Sequence, residues 1–220
     1  MTTPAQRLAS RFSSRFLKGY VKAKVSSDPV YAAALQRLSG HPHPLVDVGC
    51  GIGLLSFYLR EHGFDQPIVG IDHDATKVAA VNAIAPSYRA LSFKVADART
   101  DLPPGHSVMM LDLLHYFTTD TQRQLLEHAA SVIPAGGMLM VRDAIRDDSW
   151  RYRVTWMQES FSRAVRWLKA ERLWFPTREL IVETMTRQGF EVEVIPMWGR
   201  TPFNNYLFVF RRPSSGITNR

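Results

Sequence analysis

The run Asp47-Val48-Gly49-Cys50-Gly51-Ile52-Gly53 constrains this chain more than any other feature of its sequence. Three glycines at alternate positions follow the apolar stretch Leu45 to Val48, and a helix-forming stretch closed by Gly63 follows them. Glycine reaches positive φ without a steric cost and lets a backbone approach a ligand closely. The N-terminus of the helix that follows offers unpaired N–H groups. A dinucleotide fingerprint would have glycine at position 54 to let helix and strand pack closely, but Leu54 stands there, and an acid, Asp47, precedes the first glycine by two. Taken alone, the turn fits a ligand cradle and a plain tight turn equally well.

Around it, strand and helix patterns alternate. Strands are predicted at Leu45 to Val48, Pro67 to Ile71, Leu91 to Val95, Ser107 to Leu111 and Met138 to Val141, with helices after Gly51, after the cap Asp74 through Ala83, and from Thr121 to Val132. Thr177 caps a further helix ended by Gly189. Glu191 to Pro196 and Asn205 to Arg211 then form two last strands joined by a loop too long for a tight turn. This order predicts an α/β fold: a Rossmann-like, doubly wound sheet of about seven strands, mostly parallel with an antiparallel last strand. Residues 1–40 read as an N-terminal helical extension, with one helix over 5–24 and a second entered at Asp28-Pro29 and closed by Gly40. Residues 41–212 read as the main domain, with a helical cap over about 147–176, and 213–220 as a tail.

A chain of 220 residues that is 45% hydrophobic and 21% charged can bury a core of its own, which excludes disordered and collagen-like classes. It lacks both the apolar run of about 18 residues needed for a membrane span and the apolar core of a signal peptide, so a cytoplasmic location is expected. Cys50 is the single cysteine, and the seven histidines do not join it at zinc-ligand spacing, so neither an internal disulfide nor a structural metal is expected. The net charge of +7 is unevenly spread: residues 1–40 carry seven cations against Asp28, a local +6. The basic character belongs to one segment and describes its partners, not the fold.

Residues 43 to 145 resemble the class I S-adenosylmethionine-dependent methyltransferases through several ordered motifs. The resemblance implies that Asp47 and the backbone of Gly49, Cys50, Gly51 and Gly53 hold the methionine part of S-adenosylmethionine. Asp72, ending the second strand beside His73, matches the acid that takes both ribose hydroxyls, as a carboxylate can. Asp97-Ala98 matches the pair beside adenine, and Asp112, Leu113 and the residues to Tyr116 match the segment that faces the methyl donor. Carboxylates at the carboxyl ends of successive parallel strands suit a crevice binder. The product would be S-adenosylhomocysteine.

His115, with Asp112 three residues before it, is the candidate catalytic base, because imidazole titrates near neutral pH. A histidine that only packs on the following helix is the alternative. Adenine-amine methylation would require an Asn-Pro-Pro-Tyr-like turn where Asp112-Leu113-Leu114-His115 stands. Carbon-5 pyrimidine methylation would require a cysteine outside the glycine turn. Asp112 and Asp143 stand where catechol-type enzymes bind magnesium, but Ala144 follows where that family has asparagine, so no metal is assigned. The acceptor expected is an apolar or aromatic small molecule, methylated on oxygen or carbon. Tyr116, Trp150 and Trp156 would line its pocket, and Arg142, Trp198, Arg200 and Asn204 would supply a polar handle, with Arg142 and Arg146 alternatively paired to Asp143 and Asp147. The segments Asp112 to Tyr116, Arg146 to Arg151 and Gly199 to Tyr206 are similar to small bacterial methyltransferases of aryl-polyene-type pigment pathways. That similarity implies an aryl head group, free or tethered to an acyl carrier protein.

Residues 5–24 set Phe12, Phe16 and Leu17 among the cations Arg7, Arg11, Arg15, Lys18 and Lys22. Such a helix could meet an anionic membrane surface on the inner face, meet an acidic carrier, or pack over its own domain. Nucleic acid is the least favoured partner. Two rivals stay open: an RNA methyltransferase, and a non-catalytic protein that binds cofactor or membrane.

Overall fold

The computed structural model describes residues 3–12, 14–164, 173–199 and 201–214, and within 159–164 the backbone alone. The chain divides into two compact units, residues 1–109 and 110–220. One seven-stranded sheet has the order β3 (Leu91–Val95), β2 (Ile68–Asp72), β1 (Leu45–Val48), β4 (Ser107–Leu111), β5 (Met138–Ala144), β7 (Asn205–Arg211), β6 (Glu191–Pro196).

The first unit begins with α1 (Pro4–Ser10), entered through a capping box in which Thr3 and Gln6 satisfy each other's backbone N–H. The single helix expected over 5–24 is in fact two. Backbone hydrogen bonds close α1 at Arg11 and Phe12, and Ser14 caps a new helix, α2 (Arg15–Ser27). Competing caps, each worth about 1 kcal/mol, override continuous amphipathic spacing. In α3 (Val30–Leu38), Pro29 sits at the N-cap position instead of the first helical one, and the Asp28 carboxylate takes the Val30 N–H at 3.1 Å. Gly40 follows with φ +70°, as a helix-ending glycine should.

Then come β1 (Leu45–Val48), α4 (Leu54–Glu61), β2 (Ile68–Asp72), α5 (Ala75–Asn82) and β3 (Leu91–Val95). β1, β2 and β3 pair in parallel, Leu45 opposite Ile68 and Ile68 opposite Leu91. β1 is buried throughout, the mark of a strand covered on both faces. Glu61 fastens α1 to α4, accepting from Arg7 Nε at 2.8 Å and from Tyr88 Oη at 2.8 Å. Arg60 gathers the carbonyls of Phe64, Gln66 and Ala90, closing the chain's entry into β2. The strand β4 (Ser107–Leu111) contains the boundary between the two units.

In the second unit, a 3-10 turn (Leu114–Tyr116) leads into α6 (Thr119–Val132), then β5 (Met138–Ala144), α7 (Trp150–Ala164), α8 (Arg178–Arg187), β6 (Glu191–Pro196) and β7 (Asn205–Arg211). β7 runs antiparallel to both β5 and β6, as expected. β5 is three residues longer than its apolar run, because Arg142, Asp143 and Ala144 continue the ladder opposite Leu207, Tyr206 and Asn205 and are buried. The interval 165–172, within the expected cap, lies outside the described residues.

Candidate active site

The glycine turn takes its shape from three left-handed residues: Gly49, Gly51 and Gly53 have φ of +69°, +56° and +70°. Such angles cost an L side chain about 1–2 kcal/mol each, so this path requires alternate glycines. Gly49 and Cys50 both donate to the Ile71 carbonyl, at 2.8 and 3.0 Å, which pins the turn to the end of β2. A Cβ on Gly53 would stand 2.9 Å from both the Phe57 and the Phe93 rings, whereas one on Gly51 would meet nothing within 4 Å. Packing therefore fixes Gly53, and the space over Gly51 is open.

Asp72, 6% exposed, accepts from Gly51 N at 2.9 Å through one oxygen and from Asp74 N at 2.9 Å through the other. Its carboxylate is oriented by two backbone donors before any ligand arrives. Its neighbour His73 is almost fully exposed, with Nδ1 3.5 Å from Asp72 Oδ1. Asp47 is buried and accepts from Ser56 Oγ at 2.7 Å. Burial pushes its carboxyl up to about 6; hydrogen bonds from Ser56 act in the opposite direction, and the Asp72 charge adds a smaller upward push. Burial, with help from Asp47 and Asp72, also pushes the Cys50 thiol far above its ordinary range, so Cys50 is a small packed side chain and a poor nucleophile. Asp97 is part-exposed and grips Arg99 through Nε and Nη2, which holds its carboxyl down at about 2; Ala98 beside it is half-buried.

These residues fit the cofactor that the sequence implied. One turn with three left-handed glycines, open space at Gly51 and an oriented buried carboxylate at the end of β2 make a polar cradle no core requires.

The second unit holds a separate constellation. Asp112 has φ +53°, its N–H donates to the Arg142 carbonyl at 2.8 Å, and its carboxylate pairs closely with Arg142 Nη1. This corrects the expectation that Arg142 lies past the fifth strand, handling an acceptor or pairing with Asp143. It is buried within β5, and its partner is Asp112. Asp143, fully buried, instead accepts from His115 Nδ1 at 2.6 Å and from the His115 backbone N–H at 3.3 Å. The Ala144 N–H adds a third donor at 2.8 Å. A carboxylate on Nδ1 fixes the tautomer in which Nε2 carries the lone pair, the arrangement a proton acceptor needs.

Aromatic rings surround that imidazole. Tyr116 lies 4.3 Å from it and Phe175 stacks at 5.8 Å, with Tyr152 edge-on to Phe175 at 5.7 Å. Gln122, buried in α6, holds the strip in place: its Nε2 donates to the carbonyls of Leu114, Phe117 and Trp174 at 3.0, 2.9 and 2.5 Å. The Trp174 N–H donates to the His115 carbonyl at 2.8 Å.

Other expected acceptor residues are placed differently. Asn204, 1% exposed, is a strut whose amide donates to the Ile145 carbonyl and to Asp147 Oδ2, both at 2.8 Å, so it is not a mobile polar handle. Trp150 and Trp156 are 60% and 54% exposed, too open to form a closed pocket wall. Arg151 lies over the Trp150 and Trp198 rings at 4.8 and 4.6 Å. Leu113 precedes the 3-10 turn. Arg200 lies outside the described residues. Sequence reasoning missed Ser56, Gln122 and Phe175, and it assigned Asp143 other partners. The available signals were a serine inside the apolar run Leu54 to Leu59 and an acid two residues beyond the β5 apolar run.

Residues 45–137 match the family described as "Methyltransferase domain". A solved structure, magnesium protoporphyrin IX methyltransferase from Synechocystis with bound S-adenosylhomocysteine, superposes with a TM-score of 0.68 at 16% identity, over 95% of this chain and 92% of that one. Residues 45–137 are thus similar to methyltransferase domains, and the solved structure shares with this chain the fold of the class I S-adenosylmethionine-dependent methyltransferases. S-adenosylmethionine is the cofactor of the class.

More particular likenesses point two ways. The ribosomal RNA small subunit methyltransferase C of Alcanivorax borkumensis is 29% identical over 146 residues, 60% of this chain and 41% of that protein. Indole glucosinolate O-methyltransferase 5 of Arabidopsis thaliana is 29% identical over 105 residues, 47% of this chain and 27% of that protein. The chain thus spans well under half the length of either relative.

Proposed function

We propose that this protein transfers a methyl group from S-adenosylmethionine to an oxygen of an apolar aromatic small molecule, with His115 as the base. The observation that carries the reading is the buried His115–Asp143 pair among aromatic rings. A base is useful when the acceptor starts protonated, as a phenol does and an amine or activated carbon need not, so the pair supports oxygen over carbon. When bound, the cofactor supplies a methyl carbon activated by a sulfonium. Asp72 takes the ribose hydroxyls, the backbone of Gly49 to Gly53 and Asp47 hold the methionine portion, and Asp97-Ala98 borders adenine. His115 accepts the phenolic proton at Nε2 as the acceptor oxygen bonds to the methyl carbon and the carbon–sulfur bond breaks, its electron pair staying on sulfur. Asp143 stabilises the imidazolium so formed, and Tyr116, Phe175 and Tyr152 hold a planar acceptor. The O-methyltransferase likeness agrees with this reading.

The test is a turnover assay with S-adenosylmethionine and a panel of aryl alcohols, free and carrier-linked, read as S-adenosylhomocysteine formed. His115→Ala should lower kcat by about 100-fold or more, with S-adenosylhomocysteine affinity by titration unchanged. Methylation of RNA with no turnover of any aryl acceptor would overturn the proposal. So would a His115→Ala enzyme of normal kcat.

A further inference from the structure

The helix α2 leaves aromatic rings and cations exposed together. Thirteen residues long, it contains no acid and buries one side chain, Val21, against the rest of its unit. Phe16 and Tyr20, one turn apart and so on one face, are 64% and 45% exposed. Beside them Arg15, Lys18 and Lys22 recur at three- and four-residue spacing, all exposed. Other cations of the N-terminal region are used internally: Arg7 pairs with Glu61, Arg11 lies over the Tyr88 ring, and Lys24 pairs with Asp28. Among the described residues, Arg15, Lys18 and Lys22 have no such partner.

We propose that α2 docks this protein onto an anionic lipid surface, Arg15, Lys18 and Lys22 meeting the headgroups and Phe16 and Tyr20 entering the interfacial layer. Charge complementarity selects the occupant: a net-cationic helix with exposed aromatics beside its cations has the composition of helices that lie in the plane of a membrane interface. Aromatic rings settle at headgroup level, and long lysine and arginine stems reach up to the phosphates around them. An acidic protein would meet the same cations but offers no layer into which two adjacent rings sink. No helix among the described residues is long and apolar enough to cross a membrane, so the contact is peripheral. The inference does not depend on the methyl acceptor, and it would bring the enzyme to substrates that are themselves apolar.

The experiment is co-sedimentation of the full chain with vesicles of phosphatidylcholine alone and of phosphatidylcholine containing phosphatidylglycerol. The protein should sediment with the anionic vesicles, and raised salt should release it. Each cation near such a surface contributes about fivefold in affinity, so Lys18→Gln/Lys22→Gln should weaken binding by about 25-fold. Phe16→Ser/Tyr20→Ser should also weaken it at constant charge, which separates insertion from electrostatic adsorption. All four side chains are surface positions, and circular dichroism confirms that each variant is folded. The proposal is overturned if the chain ignores anionic vesicles, if it binds neutral ones equally, if either variant sediments like the parent, or if an acidic carrier protein is bound while vesicles are not.

Discussion

Alanine at Gly70 probes how tightly the glycine turn is seated. Gly70 lies in β2 outside the left-handed region, so alanine fits its backbone and any cost is packing. Its new Cβ would stand 2.3 and 2.5 Å from Phe93 Cδ1 and Cε1, and 3.1 Å from Cys50 Sγ. Carbon contacts settle near 3.5–4.0 Å, so the Phe93 ring must retreat by about 1 Å. It has little room to do so, being 4% exposed with the buried Phe57 ring 5.4 Å away. Overpacking of this kind costs about 1–3 kcal/mol. Because the obstacle is a ring wedged against another ring, the upper half of that range is expected, which for a chain of this size lowers Tm by about 4–12 °C. Thermal unfolding followed by circular dichroism measures it. The control is Phe93→Leu, destabilising alone because it leaves a cavity. In the double variant the new methyl occupies part of that cavity, so the two costs should fall short of additive by about 1–2 kcal/mol. A Gly70→Ala protein that melts like the parent, or strictly additive costs, would refute this account of the packing.

Raising the Asp47 carboxyl from 3.8 to about 6 means that the native state binds a proton the unfolded chain releases between those values. Its ionised form therefore destabilises the fold as pH rises through about 6, by up to about 3 kcal/mol. Asp47→Asn should accordingly gain stability over the parent at pH 8 and lose that advantage at pH 4, as urea unfolding at the two pH values will show. Asp72→Ala should weaken S-adenosylmethionine binding at least about 100-fold in calorimetric titration, since two ribose hydrogen bonds to a charged acceptor go together; undiminished affinity would remove Asp72 from the cofactor site. Gln122→Ala should cost about 1–3 kcal/mol by taking the amide's two N–H donors from the Phe117 and Trp174 carbonyls, whereas the Leu114 carbonyl keeps the Phe117 N–H. By loosening the strip from Trp174 to Pro176, it should also raise the acceptor KM more than the cofactor KM in steady-state kinetics.

What the sequence determined by itself is local. Apolar runs bounded by glycine and proline mark the strands, and β3, β4, β6 and β7 begin and end where those runs do, because burial and turn chemistry act on neighbouring residues. The glycine turn, the acid that ends β2 and the acid after β3 were legible for the same reason: a turn at a strand end is written in consecutive residues. The tertiary structure alone decided which side chains meet. Asp143 is 28 residues from His115, and its choice of the imidazole over a neighbouring arginine follows from β5 continuing past its apolar run to carry Arg142 and Asp143 into the core. Once there, a buried charge must be paired, and the left-handed bend at Asp112 gives Arg142 one carboxylate while His115 receives the other. The same holds for Phe175, which meets the imidazole because Gln122 and the His115 carbonyl hold a distant strand of chain against it. Such contacts depend on three-dimensional closure and leave no periodicity behind. The exposed face of α2 lies between the two cases: its cations and rings are in the sequence, but which of them the fold would cover was settled only by packing.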